Sequence, residues 1–296
     1  MKKILALLVL LLPVHGYAAA LSEYEPEKTV VEEVPEPNLT LNVRRISLEL
    51  SKTEVQNTAE YINSPLQQLR ADSQDFMKGV ADVALEYKKN RLFWDNGVFM
   101  EYGKTTIQPH NAPKTYNENA DRFLASSYLT YAAWEASGFN FGPIARVQYE
   151  TEFTENLGTP RLNVVRSNAG VSLFNHSIIK SFYLTGVYEY DFTHAENEIS
   201  KLAAELGWRL EYELREGVSF STNGYYRKFL SYSHYLGTDL ESDLNIIARM
   251  DTNLWGDFTM GPYVQYRRAL SREADVYGSN TMVGISFNYI TKFGLR

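Results

Sequence analysis

The chain contains no cysteine among its 296 residues. Disulfides, thiolate metal centres and cysteine nucleophiles are therefore excluded, and so is lipid attachment at a cysteine following an export leader. No block rich in Lys and Arg occurs, and 29 basic residues against 36 acidic ones give a net charge of -7. Nucleic acid is not an expected partner for such a surface. Long apolar runs are also missing beyond the first twenty residues, so no membrane-spanning helix is expected. Histidine is scarce, and no cofactor is expected.

The start of the chain has the layout of an export leader. Met1-Lys2-Lys3 is basic, Ile4 to Val14 is apolar around Pro13, and Ala18-Ala19-Ala20 offers small residues to a peptidase. Sec-type cleavage near Ala20 is expected, with Leu21 as the mature start, 27 basic residues against 36 acidic ones and a net charge of -9. Residues 21–38 are rich in Glu and Pro with Lys28 as the single cation, and read as a solvated linker. Residues 53–78 are polar, with scattered Leu and Ala. They predict a short amphipathic helix or an extended loop, interrupted at Pro65.

What the rest of the chain has in abundance is aromatic residues and alternation. In 201–214, Leu202, Ala204, Leu206, Trp208, Leu210, Tyr212 and Leu214 fall on one side of an extended strand, opposite Lys201, Glu205, Arg209, Glu211 and Glu213. The pattern recurs in 146–153 and 243–251. A soluble sandwich also alternates, but its strands run about 5–6 residues, whereas a tilted membrane strand needs about 9–11. The reading is a closed antiparallel up-and-down transmembrane β-barrel occupying 39–296. Strands are predicted near 40–50, 79–89, 94–106, 121–134, 141–154, 161–174, 178–193, 199–214, 218–232, 240–254, 258–270 and 279–293. The first is the weakest, because Arg44-Arg45 breaks its alternation.

Connection lengths support twelve strands, with ten as the alternative. Short turns are expected around Asn90, Gly138, His176, Gly217 and Gly256, on the periplasmic side. Longer connections at 51–78, 107–120, 155–160, 194–198, 233–239 and 271–278 would face outward. Asn96-Gly97 offers a competing hairpin near the first turn. Trp94, Trp134 and Trp255 lie near short turns, as an interfacial girdle requires.

Several segments carry resemblances. Gly284, Phe287 and Tyr289 resemble the glycine-x-x-aromatic-x-aromatic signature read by barrel-assembly machinery, although Met282 stands where a polar residue is common and seven residues follow Tyr289. The segments Tyr87-Lys88-Lys89-Asn90, Trp94-Asp95-Asn96, Tyr102-Gly103-Lys104-Thr105, Glu118-Asn119-Ala120-Asp121-Arg122 and Glu152-Phe153-Thr154 resemble a family of Gram-negative outer-membrane barrels catalogued as a domain of unknown function. The likeness covers roughly 79–155. It implies a barrel in the outer membrane, in contact with outer-membrane lipid after passing the export pathway, and implies no chemistry.

The candidate lumen set is Glu101, Arg146, Glu150, Glu152, Glu189, Asp191, Lys201, Glu205, Arg209, Glu211, Glu213, Asp243, Arg249, Asp251 and Arg267. Such side chains cannot face acyl chains, where Arg or Lys at the midplane costs about 2–4 kcal/mol. Two readings stay open. One is a small diffusion channel or transporter whose acidic excess favours cationic solutes, and the other a plugged barrel acting through its loops at 51–78 and 107–120. A third is a lipid-modifying enzyme using His234 with Ser231 and Ser233, or His194 near Asp191, Glu196 and Glu198. His110 stands alone in this respect, and His176-Ser177 lies at the wrong end for lipid chemistry. His194, Glu196 and Glu198 could hold a divalent cation only weakly. Oligomeric state is not legible.

Overall fold

A computed structural model describes residues 38–295, except 62–63, 65, 71–73, 108–114, 137, 155–159, 195 and 236. The expected leader, its cleavage site near Ala20, the linker up to residue 37, Pro65 and His110 lie outside the described residues.

Alternation becomes thirteen ladder segments: β1 (Asn38–Gln56), β2 (Gln74–Lys89), β3 (Leu92–Ile107), β4 (Thr115–Tyr131), β5 (Trp134–Ala136), β6 (Phe139–Thr151), β7 (Asn163–Phe174), β8 (Ile179–Asp191), β9 (Ile199–Arg215), β10 (Val218–Tyr232), β11 (Leu240–Trp255), β12 (Phe258–Ser271) and β13 (Gly278–Gly294). All pairings are antiparallel between neighbours in sequence, and the first strand closes onto the last from Thr40 opposite Gly294 to Gln56 opposite Ser279. Both β4 and β5 pair with β6, so together they form one stave of a closed twelve-stranded barrel. Their separation at Ala132-Ala133 is possible because Gly142 on β6 has no Cβ. One built there would come within 1.8 Å of the Tyr131 carbonyl oxygen.

The two faces of each strand meet different solvents. Leu48, Leu184, Leu202, Val147, Ile285 and Phe287 are exposed on the outside, while their sequence neighbours Glu49, Thr185, Ala203, Gln148 and Ser286 are buried inside. A thirteen-residue strand such as β8, rising about 3.3 Å per residue and tilted by roughly 40°, crosses about 30 Å, the thickness of a hydrocarbon core. An apolar exterior of that height around a polar interior makes this a transmembrane barrel. No helix among the described residues is long and apolar enough to cross a membrane.

The short turns at one rim each contain a residue in the left-handed region: Asn90, Gly138, Asn175, Gly217 and Gly256. Glycine and asparagine adopt that conformation at least cost. Trp94, Trp134 and Trp255 are exposed beside these turns. Both chain ends of the barrel, at Asn38 and Gly294, lie at this rim, as the strand parity requires.

Three expectations are corrected. The first strand is one of the longest, because Arg44-Arg45 is a β-bulge: register slips there against both β2 and β13, and both arginines are buried. A bulge adds one residue to one strand and lets two consecutive side chains share a face. Secondly, the 51–78 and 107–120 connections are shorter than expected, since β1 runs to Gln56, β2 begins at Gln74, β3 reaches Ile107 and β4 begins at Thr115. Finally, Asn96-Gly97 is no hairpin and sits inside β3, with Asn96 opposite Ser127 and Gly97 opposite Ser126. A Cβ on Gly97 would lie 3.2 Å from Arg44 Nη1, so the glycine makes room for the arginine.

Candidate functional site

The inward faces bring acids and bases together at bonding distance. On the β6–β10 side, Glu205 is fully buried and accepts from Arg146 at 2.5 Å, Arg227 Nε at 2.7 Å and the Tyr183 hydroxyl at 2.9 Å. Arg146 reaches it from β6 over two intervening strands, held between the rings of Tyr128 and Tyr183 with centroids at 5.5 and 5.3 Å. From Arg227 the chain of alternating charge continues to Glu189 at 3.8 Å, to Arg166 at 2.5 Å, to Glu150, and to Arg122 at 2.6 Å. Lys201 binds Glu189 at 2.6 Å and Asp191 at 3.4 Å.

A second group occupies the opposite wall. Glu49, also fully buried, lies 2.6 Å from Arg249, 3.3 Å from Arg45 and 3.4 Å from Lys78, and Lys78 continues to Glu101 at 3.0 Å. Toward the short-turn rim, Arg44 binds Asp95, Glu86 at 3.3 Å and Asp82 at 3.7 Å, while Lys292 joins Glu86 at 3.0 Å. Arg267 and the Tyr225 hydroxyl both donate to Asp243, at 2.5 and 2.7 Å.

Apolar contacts bridge the remaining span. Ala120 of β4 packs with Tyr263 of β12 and Met282 of β13, across the barrel. At the long-connection end, residues 58–61 and 67–70 form two short helical turns between β1 and β2. Their Tyr61 and Leu69, exposed by only 1% and 0%, pack with Leu240 and Ala269 inside the mouth. The Tyr61 hydroxyl lies 3.0 and 2.8 Å from the carbonyl oxygens of Ala269 and Val276, and Asn280 donates its amide to the Gln68 carbonyl. Among the described residues, many inward side chains are buried in the barrel interior, and Tyr61 and Leu69 pack against its wall at the long-connection end.

Of the fifteen sequence-chosen lumen residues, Glu101, Arg146, Glu150, Glu189, Glu205, Arg209, Asp243 and Arg267 are buried inside. Asp191, Lys201, Arg249 and Asp251 are half-buried toward the ends of their strands. Glu211, half-buried, pairs with Arg209 at 3.8 Å, whereas Glu213 is exposed beside the turn after β9. Glu152 follows β6 and accepts the Leu162 amide at 3.1 Å. Among the described residues that are buried, acids and bases are equal in number, ten carboxylates and ten Lys or Arg side chains. Sequence reading missed the compensating Arg44, Arg45, Lys78, Arg122, Arg166 and Arg227. Inward parity within the strands predicted at 121–134, 161–174 and 218–232 would have found the last three.

Phe287 is exposed on the outer face, as are Val283 and Ile285, and the Tyr289 ring packs on Phe258 at 5.1 Å. Gly284 faces inward, where a Cβ would meet the Tyr263 ring at 2.8 Å. Of the histidine candidates, His234 has a serine beside it. Ser233 Oγ lies 3.4 Å from His234 Nδ1 but accepts the Ser200 amide at 3.0 Å, and among the described residues no third group is bonded to the pair. No cluster of three His, Asp or Glu able to hold a metal exists among the described residues, which includes His194, Glu196 and Glu198.

Residues 72–157 match a family described as "Protein of unknown function (DUF3078)". No curated protein matches the chain in sequence. Among solved structures, the chain is similar to the COG4313 outer membrane channel from Pseudomonas putida F1, with 11% identity, 90% of this chain and 100% of that chain covered, and a TM-score of 0.49. It is similar also to outer membrane phospholipase A from Escherichia coli, with 10% identity, coverage of 83% and 90%, and a TM-score of 0.42. A third similar structure is the NanC porin, with 12% identity, coverage of 81% and 98%, and a TM-score of 0.40. At such identity nothing of their activities carries over.

Proposed function

We propose that this chain is an outer-membrane barrel with a closed lumen, a membrane-seated scaffold that works through its outer rim and loops. The observation that carries this reading is the burial of paired inward charges. Glu49 and Glu205 have no solvent exposure although each belongs to a multi-partner ion cluster, and Ala120 meets Tyr263 and Met282 across the interior. Ionised groups are expensive to strip of water unless paired, and these are paired. With acids and bases in balance, the interior has no reason to select cations.

Planar-bilayer recording tests it. Purified protein with heat-modifiable mobility, the mark of a folded barrel, is expected to leave the membrane at baseline current. Stable ohmic steps in most insertions would sink the closed-lumen reading.

A diffusion channel is the second reading, and one observation favours it: Tyr61 and Leu69, which pack inside the mouth, belong to a connection and not to a strand. Recording from a variant with residues 58–70 replaced by a short Gly-Ser linker separates the two. Steps that appear only in this variant favour a gated channel, and continued silence favours the scaffold.

A further inference from the structure

The lumen arginines described above all sit against carboxylates, but two arginines at the long-connection rim do not. Arg268 projects from the outer face of β12, three residues before its end, and Arg272 follows that strand. Both are exposed. Each guanidinium lies over a tyrosine ring: Arg268 over Tyr277 and Arg272 over Tyr235, both with the guanidinium carbon 3.8 Å from the ring centroid. Among the described residues neither has a carboxylate within ion-pair distance.

The surroundings hold the two rings in place, and the Arg272 backbone amide donates to the Asp239 carbonyl at 2.8 Å. Tyr277 is anchored through its backbone, whose carbonyl accepts from the Asn57 amide at 2.9 Å, and Tyr235 packs on Tyr232 at 5.4 Å. Lys228 absorbs Glu241 at 3.1 Å, and the Glu273 carboxylate lies against Gly237 of the neighbouring connection. Beside Arg268 along the hydrogen-bonded row stands Ser279, followed by Gln56 at the end of β1, so the patch is polar where the apolar band stops. Stacking a guanidinium fixes its plane and leaves the N–H edges free, which is the geometry that pairs with phosphate oxygens.

We propose that Arg268, seated on Tyr277, and Arg272, seated on Tyr235, each offer a binding position for a phosphate group of an outer-leaflet lipid headgroup. The site holds whether or not the lumen conducts. It rests on the reading that the long-connection rim meets the outer leaflet.

The test is native mass spectrometry of the folded full chain released from phosphatidylcholine nanodiscs, titrated with bis-phosphorylated lipid A, with the same lipid after phosphatase treatment, and with inorganic phosphate. Wild type is expected to retain the phosphorylated lipid over the dephosphorylated one. R268A/R272A should bind it about twenty-five-fold more weakly, taking roughly fivefold per arginine at an anionic surface. Arg215→Ala at the opposite rim should leave it unchanged. Equal retention of both lipids, equal binding by the double variant, or the same loss in the Arg215 variant would overturn the site. Competition by inorganic phosphate at matched concentration would overturn the headgroup as its source. Should R268A/R272A fail to insert, R268Q/R272Q provides the same reading. Bilayer silence or conductance in these samples reports on the lumen separately.

Discussion

Arg249 donates to Glu49 at 2.6 Å, although β12 and β13 stand between their strands. The bond is a chord across the barrel wall, and the same arginine covers the Tyr263 ring at 4.7 Å. Because Glu49 also serves Arg45 and Lys78, one carboxylate fastens the first strand to the second and to the eleventh segment of the ladder.

Removing that carboxylate should strand three cations. Glu49→Ala is expected to lose about 3–5 kcal/mol of unfolding free energy, the cost of leaving buried charge without its partner. Glu49→Gln, which keeps an acceptor, should lose less. Guanidinium unfolding in lipid vesicles followed by tryptophan fluorescence measures both, and a midpoint equal to wild type for the alanine variant would contradict the assignment.

Tyr183 covers Gly207, where a Cβ would stand 2.2 Å from a ring carbon. Gly207→Ala should therefore push the ring off, weaken its 2.9 Å bond to Glu205 and cost about 1–3 kcal/mol, as overpacking does. Gly186→Ala on the outer face, where the nearest atom is 3.9 Å away, should be near neutral in the same assay. Equal losses at the two glycines would show that the ring does not decide the matter.

The segment packed inside the mouth depends on one hydroxyl, that of Tyr61, which meets two carbonyl oxygens and accepts the Ser271 amide at 3.3 Å. Tyr61→Phe removes it and should cost about 1–3 kcal/mol locally, since the buried partners lose their bond. The loss is readable as faster protease cutting between β1 and β2 in proteoliposomes. Cutting at the wild-type rate would mean that packing alone holds the segment.

Leu184, 54% exposed near the middle of β8, should be in contact with lipid. Leu184→Arg is expected to cost about 2–4 kcal/mol of insertion free energy, the midplane penalty on a barrel exterior. The adjacent inward change Thr185→Ser should cost far less. Reversible folding into thin-chain phosphatidylcholine vesicles gives the comparison, and a tolerated arginine would place this face away from hydrocarbon.

Where the chain alternates cleanly, sequence and structure coincide to within a few residues, as in 199–214 against Ile199–Arg215. Turn positions were equally legible, since Asn90, Gly138, Gly217 and Gly256 are the residue types that accept a left-handed backbone. The failures are local and share a cause. Arg44-Arg45 breaks period two because a bulge turns both inward, and Gly97 mimics a turn residue because a neighbouring arginine occupies its space. Neither fact is written in the strand that carries it.

Period two by itself determined that this chain forms membrane-length strands with an apolar and a polar flank, and the alternation of short and long connections favoured twelve staves over ten, a choice that only the closed ring settled. Which charge meets which was decided only by closure. Arg249 and Glu49 are 200 residues apart, and their meeting depends on barrel curvature and stagger, quantities that belong to the whole ring. Which buried acid is neutralised by which base is therefore a property of pairing across the ring, to which no single strand's pattern has access.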